Sequence, residues 1–355
     1  MALFSIIPCA NNLGYRYSKL HDHTLDDNET LCALDNGRHH PAPDATLGAL
    51  DTLPLELLNM LLTLLDIRSL TDFRRVNQRA MQVVNSIPQY RTITEHAPTS
   101  LRAMLSIGTG RWISSQDLYN KLYTAECDIC GDFGGYLYLL TCRRVCFCFT
   151  QDPAYLPLWR ADAARKFGLS REYLAGIPAM KTIPGFYSPR ELKVQTRITL
   201  LDHDSALRAG VAVHGSVGAM GRYVSEVSSE EIERYRERAL QHSAGAGSAS
   251  PDPTPRQPRV EDEFDGYESN PKRFVAVVRA PVLKAQAGSR MPEWGFHCVA
   301  CKGHHYGRPL HWRRLYTEES FRDHLDECGD CGWGACSVIH LNELIATREP
   351  RCLTG

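Results

Sequence analysis

Leucines recur at helical spacing between residues 55 and 65. Pro54 suits the first position of a helix, and Glu56 lies near the positive end of its dipole, so a helix is predicted to begin there. The leucines that follow are Leu57, Leu58, Leu61, Leu62 and Leu65. They form an apolar face wider than a solvent-exposed helix uses. Part of this surface is therefore expected to be buried, either against the rest of the chain or against a partner.

Two further helices are predicted directly after the first. Asp66 is placed to cap a second helix that runs through Leu70 and Phe73, and apolar positions from Val76 to Val84 continue into a third. Three helices within about 38 residues form a unit near the lower limit of independent folding. Part of the leucine surface is therefore expected to meet a partner or another domain, with an ordinary core helical bundle as the alternative.

The remaining chain shows weaker periodicity. Prolines break the region from 94 to 229 into short pieces, with a helix predicted over 158–167 and a strand over 136–140. A further helix is predicted over 230–242, where apolar residues again recur at helical spacing. It is followed by serine, glycine and proline residues whose composition indicates a linker.

Composition indicates a folded, membrane-free chain. Of 355 residues, 43% are hydrophobic and 23% are charged, which suffices for two or three compact units. The formal net charge of -1 provides no general attraction to phosphate backbones or anionic membranes. Apolar runs fall short of the roughly 20 residues of a bilayer span, and the start does not have the features of a signal peptide. We therefore expect a cytoplasmic or nuclear protein.

Cysteines in the middle of the chain have the spacing of a metal site. Cys127 and Cys130 form a C-x2-C pair, and Gly131 suits the turn that such a pair requires. The cysteines that follow are Cys142, Cys146 and Cys148. Together they supply four thiolates for a tetrahedral zinc site with one sulfur left over, and the spacing does not choose among the last three. Buried reduced thiols are the alternative.

A second set of candidate ligands lies near the carboxyl end. Cys298 and Cys301 form another C-x2-C pair, and His324 and Cys328 lie one turn apart on a predicted helix that Thr317 caps. This set predicts a second zinc site. The substitute ligands for it are Cys331 and His305. A site with four protein ligands is coordinatively closed, so it stabilises a fold rather than catalysing a reaction.

The leucine segment resembles an F-box. Leu-Pro opens its first helix, and Arg75-Val76-Asn77 follows the second helix in the place of the Arg/Val/Ser-like element of that family. The family often carries a tryptophan where this chain has Ala80. In F-boxes, the Leu-Pro pair and the apolar positions after it dock on a Skp adaptor. The residues that the resemblance implicates in docking are Leu53, Pro54, Leu57, Leu61 and Leu65.

The whole chain also resembles a group of fungal F-box proteins that carry cysteine clusters downstream. The matching segments are Cys127-x2-Cys130, Arg144-Val145-Cys146, residues 165–169, residues 183–187, and Trp294-Gly295-Phe296-x-Cys298-x2-Cys301. This resemblance implies a substrate-receptor subunit of an SCF-type ubiquitin ligase. Its partners would be the Skp adaptor, the cullin-based ligase and a target protein that the sequence does not identify.

Other functional classes have less support. The chain contains no Walker-type phosphate loop, nucleophile elbow, H-E-x-x-H or dinucleotide fingerprint, so we expect a non-catalytic adaptor and not an enzyme. Basic and aromatic residues over 308–314 would serve a zinc-finger protein that binds nucleic acid, but a solvated loop is the simpler interpretation. A stand-alone structural protein would instead bury Leu57, Leu61 and Leu65 in its own core.

The sequence thus predicts a mixed α+β fold in five parts. A disordered tail covers residues 1–46 and the F-box covers 47–90. A middle recognition region with the first cysteine cluster covers 91–241, and a flexible linker covers 242–268. A C-terminal element resembling a zinc finger covers 269–345.

Overall fold

Two hydrophobic cores organise the chain. A computed structural model describes residues 14–15, 22–31, 46–244, 256–258, 270–286, 289–298 and 311–328. Helices and small antiparallel sheets alternate along these residues, so the mixed α+β class predicted from the sequence is confirmed.

Six α-helices succeed one another in the first half. They are α1 (Leu55–Thr63), α2 (Ile67–Arg74), α3 (Gln78–Ser86), α4 (Pro88–His96), α5 (Pro98–Ile107) and α6 (Ser115–Leu122). Side-chain caps fix two of the starts, because Asp66 accepts a hydrogen bond from the backbone of Ser69 and Asn77 accepts one from Ala80. The three helices predicted over residues 50–87 are therefore present as α1, α2 and α3.

The remaining helices vary widely in length. They are α7 (Arg160–Phe167), α8 (Arg171–Ala175), α9 (His203–His214), α10 (Val217–Ala244), α11 (Pro271–Phe274) and α12 (Glu318–Cys328). The helix predicted over 230–242 is the second half of α10, which begins 13 residues earlier because Ser216 caps it after the Gly215 turn. None of the described helices combines the length and apolar composition that a bilayer crossing requires.

Short antiparallel strands form five small sheets among the described residues. The strands are β1 (Gly14–Tyr15), β2 (Tyr136–Tyr138), β3 (Arg143–Val145), β4 (Leu158–Trp159), β5 (Ala179–Lys181), β6 (Gly185–Tyr187), β7 (Leu192–Val194), β8 (Thr199–Leu201), β9 (Val277–Arg279), β10 (Val282–Gln286), β11 (Ser289–Glu293) and β12 (His297–Cys298). Their orders are β3-β2-β9, β4-β8-β5, β6-β7, β10-β11 and β1-β12.

Strand β9 connects the region after the predicted linker to the middle of the molecule. It pairs with β2, with Leu137 opposite Val278, and both side chains are fully buried. The larger core contains these two residues together with Leu58 of α1 and Met104 of α5. Residues 269–345 therefore do not start an independent C-terminal element, because their first strand completes the sheet of the middle region.

A smaller core lies beside the larger one. Leu158 of β4, Phe167 of α7, Leu201 of β8 and Met220 of α10 pack together in it. Gly210 of α9 allows the close approach, because a Cβ there would lie 2.7 Å from the sulfur of Met220. The beginning of α10 is thereby fixed to the body of the chain.

Part of the amino-terminal region belongs to the fold. Residues 22–28 lie against the larger core, where Asp22, Thr24 and Leu25 are fully buried. The prediction of a disordered tail over 1–46 is therefore wrong for residues 22–28. Residues 1–13, 16–21 and 32–45 lie outside the described part of the chain, as do most residues of the predicted linker after Ala244.

Candidate functional site

Helix α1 exposes one apolar side and buries the other. Leu58 and Leu62 point inward and are 3% and 5% exposed, whereas Leu57 and Leu61 are 49% and 50% exposed. We call the exposed side the α1 face. Its side chains are Leu55, Leu57, Met60, Leu61 and Leu64. The inward leucines pack in the larger core, whereas the side chains of the α1 face are exposed.

The five residues implicated by the F-box resemblance do not all lie on this face. Leu57 and Leu61 do, and Pro54 is exposed immediately before the helix. Leu53 is half-buried, and Leu65 is half-buried against the larger core. Leu65 therefore contributes to the fold, while the continuation of the exposed stripe is Leu64.

Three of the predicted metal ligands come together in space. The sulfur atoms of Cys127, Cys130 and Cys146 all lie within 4.8 Å of one another, and we call these residues the cysteine trio. The Sγ atoms of Cys130 and Cys146 are 3.6 Å apart. Tetrahedral zinc with Zn–S bonds of about 2.3 Å requires sulfur–sulfur distances of about 3.8 Å. The trio therefore matches three corners of such a site.

Local backbone geometry directs the three sulfurs toward one point. Gly131 follows the C-x2-C pair with φ +79, and its N–H donates to the carbonyl of Cys127 at 2.9 Å, which closes a tight turn. Strands β2 and β3 then form a hairpin that returns the chain to the turn. The N–H of Cys146, directly after β3, donates to Cys127 Sγ at 3.1 Å.

Backbone donors surround the sulfurs of the trio. Ile129 N donates to Cys127 Sγ and Cys148 N donates to Cys146 Sγ, each at 3.4 Å. Hydrogen bonds from Cys130 and then Cys146 lower the pKa of Cys127 to about 2, against the opposing effect of burial. N–H groups directed at sulfur favour the thiolate, and a thiolate is the form that binds metal. Cys127 is thus the member of the trio that carries negative charge, while its neighbouring sulfur raises the pKa of Cys130 to about 12 and also raises that of Cys146.

The other two cysteines of this cluster lie apart from the trio. Cys142 occupies the turn between β2 and β3 with φ 53, and burial raises the pKa of its thiol to about 12. Cys148 is disulfide-bonded, so its sulfur is not a free thiolate. Of the three cysteines among which the spacing does not choose, Cys146 is the one that lies beside Cys127 and Cys130.

Arg144 connects the β2–β3 hairpin to neighbouring elements. Its side chain is fully buried, and its guanidinium donates to four backbone carbonyls. These carbonyls belong to Lys121, Gly134, Ala280 and Pro281. Burial lowers the pKa of Arg144 to about 10, yet the side chain keeps its charge at neutral pH. A single side chain therefore joins the end of α6, the hairpin and the end of β9.

The second predicted metal site is only partly described. Cys298 in β12 and His324 in α12 are 3% and 4% exposed, and the His324 ring stacks on Tyr316 at 4.4 Å. Thr317 caps α12 as predicted, because its Oγ1 accepts a hydrogen bond from Ser320 N at 3.1 Å. Cys301, Cys331, His305 and the side chain of Cys328 lie outside the described residues, so this set stays a prediction.

The last two residues of the basic segment 308–314 form ion pairs with the body of the chain and are not part of a solvated loop. Arg313 is 7% exposed and forms an ion pair with Asp22, and Arg314 Nη2 lies 2.6 Å from Asp132 Oδ1. Carboxylates thus neutralise both arginines. This leaves them unsuited to nucleic-acid phosphates, whereas Arg308 and the side chain of His311 lie outside the described part of the chain.

Sequence reasoning missed the buried acid of this network. Asp22 accepts hydrogen bonds from the hydroxyl of Tyr136 and from the guanidinium of Arg313, and all three side chains are buried. Burial, followed by the negative charge of Asp22, raises the pKa of Tyr136. An aspartate within a polar segment carries no local signal of burial, so the sequence offered no means of finding it.

No known protein family matches the chain, and no curated protein or solved structure is significantly similar to it. Its function therefore has to be inferred from the α1 face and the cysteine trio.

Proposed function

We propose that the chain is a substrate-receptor subunit of an SCF-type ubiquitin ligase. The α1 face docks on a Skp adaptor, and the region from 91 onward recruits a target protein. The observation that carries this proposal is the division of α1 into buried leucines, such as Leu58, and exposed ones, such as Leu57 and Leu61. The F-box resemblance of residues 50–87 provides the identity of the partner.

An exposed stripe of this kind favours a protein partner. Leu57, Met60, Leu61 and Leu64 follow the i, i+3, i+4, i+7 spacing with which a helix presents apolar anchors to a groove. Burying a leucine side chain fully is worth about 1.5–3 kcal/mol relative to leaving it exposed. Contiguous apolar patches, unlike scattered single residues, mark interaction sites on soluble proteins.

The chain would act by proximity. Holding a target protein beside a ubiquitin-charged enzyme converts an encounter between free proteins into a reaction within one assembly, which raises the effective concentration of the reacting groups. This role needs no bond-making residue from the receptor. It needs a firm connection between the docking helix and the recognition region, and Leu58 supplies part of it by packing in the larger core.

The cysteine trio is proposed to hold a structural zinc ion. Zinc accepts thiolate ligands in tetrahedral geometry, and the distances among Cys127, Cys130 and Cys146 suit it. A metal bound there would fix the turn before β2 to the end of β3. Its contribution is to the stability of the recognition region, since metal binding and folding are linked.

Adaptor docking is tested with full-length protein co-expressed with a Skp adaptor. Leu57→Ala and Leu61→Ala together remove two exposed anchors, so we expect adaptor recovery to fall by about tenfold or more. Calorimetry on the purified proteins then measures the change in Kd.

The matched control is Leu192→Ala with Leu240→Ala. These leucines are 40% and 68% exposed and lie far along the sequence, on β7 and α10. The control variant should recover as much adaptor as the wild type. Equal adaptor recovery with the Leu57/Leu61 variant and with the control would refute docking through the α1 face.

A further inference from the structure

Residues 22–28 contact the body of the chain in the manner of a bound peptide. We call them the strap. Most of its hydrogen bonds to the body use strap side chains, while one backbone bond, from Ser188 N to His23 O, measures 3.3 Å. A backbone ladder accepts many sequences, whereas side-chain contacts depend on residue identity. The body therefore selects the sequence of the strap.

The strap holds much of its shape by itself. Thr24 N donates to Asp27 Oδ2 at 3.3 Å, and Asp27 N donates back to Thr24 O at 3.1 Å. The Thr24 hydroxyl also donates to Asp26. These bonds form a short 3-10 turn that presents Leu25 on one side and two carboxylates on another. A preformed turn loses less entropy on binding than an unstructured peptide does.

Arg279 at the end of β9 recognises both carboxylates. Its Nε lies 2.7 Å from Asp26 Oδ2, and its Nη2 lies 2.8 Å from Asp27 Oδ1. The backbone N–H of Arg279 also donates to Asp26 Oδ1 at 3.3 Å. Burial opposes the charge of Arg279, but the two aspartates outweigh this effect and raise its pKa. Charge-assisted contacts of this kind give both strength and geometric selectivity.

An apolar pocket and a backbone contact complete the recognition. Leu25 is fully buried in the larger core, where the strap packs against α5 and β9. Asn28 Nδ2 donates to Phe186 O at 2.8 Å, and Phe186 N donates to Asn28 Oδ1 at 3.1 Å. Along the strap, the groove thus provides a pocket for Leu25, then Arg279 for the two aspartates, and then the backbone of Phe186 for Asn28.

We propose that the body of the chain carries a peptide-binding groove for a leucine followed by two acidic residues, and that the strap occupies this groove in cis. The groove binds a separate peptide of the same sequence when the strap's own contacts are weakened. This activity goes beyond adaptor docking and does not depend on it, because the groove is formed by α5, β6 and β9 rather than by α1.

The test uses the full chain with Asp26→Asn and Asp27→Asn, which weaken the strap without removing it. The probe is a fluorescein-labelled peptide of residues 22–31. We expect fluorescence anisotropy to show binding about tenfold tighter to this variant than to the wild type, whose own strap competes. Binding should weaken as salt rises, since charge pairs contribute to it.

Two controls distinguish specific recognition of the peptide by the groove from nonspecific binding to a partly unfolded variant. Adding Arg279→Gln to the variant should weaken peptide binding about tenfold or more. Adding Arg208→Gln instead should leave it unchanged, because Arg208 is an exposed arginine of α9. A peptide with asparagine in place of both aspartates should bind no better to the double variant than a scrambled peptide does. Circular dichroism verifies that each variant is folded.

The proposal is overturned if the folded double variant does not bind the peptide, or binds it equally well with Arg279→Gln. If the double variant does not fold, a protease site inserted within 32–45 of the wild-type chain replaces it. After cleavage, the labelled peptide should exchange with the strap fragment while helical circular dichroism is retained. Loss of the helical signal when the fragment leaves would show that residues 22–28 are a part of the core and not a ligand.

Discussion

The side-chain amide of Asn28 pairs with both backbone hydrogen-bonding groups of Phe186, which lies 158 positions further along the chain. Gly185 provides the space, because a Cβ there would lie 2.2 Å from Asn28 Oδ1. The amide thus satisfies a strand edge in the way that a neighbouring strand would. The stabilities of the strap and of the β6–β7 hairpin are consequently coupled.

This coupling predicts a non-additive pair of substitutions. Gly185→Ala should lower the free energy of unfolding by about 1–2 kcal/mol in the wild type, because the new methyl group displaces the Asn28 amide. In an Asn28→Ala background the same change should cost clearly less. Urea denaturation of the four proteins in the cycle measures the interaction. Gly221→Ala is the control, since its Cβ would meet open space on α10. Strict additivity would contradict the contact.

The two sides of α1 should respond differently to truncation. Leu58→Ala leaves a cavity in the larger core, so we expect a loss of about 2–4 kcal/mol in the free energy of unfolding. Leu61→Ala removes a side chain that is 50% exposed and should cost less than about 1 kcal/mol. Equal losses, measured by urea denaturation of the isolated chain, would mean that the outer leucine is also part of the core.

The zinc content of the protein should depend on the cysteine trio and not on Cys142. Purified wild-type protein is expected to contain zinc, and Cys130→Ser should lose one equivalent by elemental analysis and melt at a lower temperature. Cys142→Ser should keep the wild-type zinc content, because Cys142 lies outside the trio. The proposed site would be wrong if Cys130→Ser and the wild type held the same amount of zinc.

Alkylation provides an independent measure of the same distinction. Burial raises the pKa of Cys142 to about 12, so little thiolate exists at pH 8 and iodoacetamide should modify it slowly in the folded chain. A chelator should expose Cys127 and Cys130 to the reagent while Cys142 stays protected. Mass spectrometry of the modified peptides reports each site, and simultaneous modification of all three would show that the whole region unfolds together.

The buried ion pair predicts a strong effect of a small change. Asp22→Asn keeps the shape of the side chain but leaves Arg313 buried without its counter-charge, so we expect a loss of about 3–5 kcal/mol in stability. Asp72→Asn is the control, because its pair with Arg68 is about half exposed on both sides and should contribute less than about 1 kcal/mol. Similar urea midpoints for the two variants would be incompatible with a buried pair.

Local signals in the sequence predicted the elements that depend on neighbours in the chain. Asp66 and Thr317 were identified as caps because a cap acts over three residues, and both form the expected bonds. The C-x2-C pair predicted a turn for the same reason. The place of Cys146 in the trio could not be predicted from local sequence, because Cys146 reaches Cys127 only through the pairing of β2 with β3.

Long-range contacts escaped prediction. The burial of Asp22 depends on Arg313, 291 positions away, and the pairing of β2 with β9 crosses the segment that was expected to be a linker. No periodicity in a single segment encodes such partners. The apolar character of α1 was visible in the sequence. Which of its leucines are buried and which are exposed depends on the positions of the other helices, so the sequence alone did not predict it.

The Asp22–Arg313 ion pair also sets an order of events during synthesis. Asp22 leaves the ribosome before Arg313, because 291 positions separate the two residues. Until then Tyr136 is the only described part of that buried site that can receive it, and local helices such as α1 to α6 have already had time to form. Asp22 is thus made long before it can reach its final place.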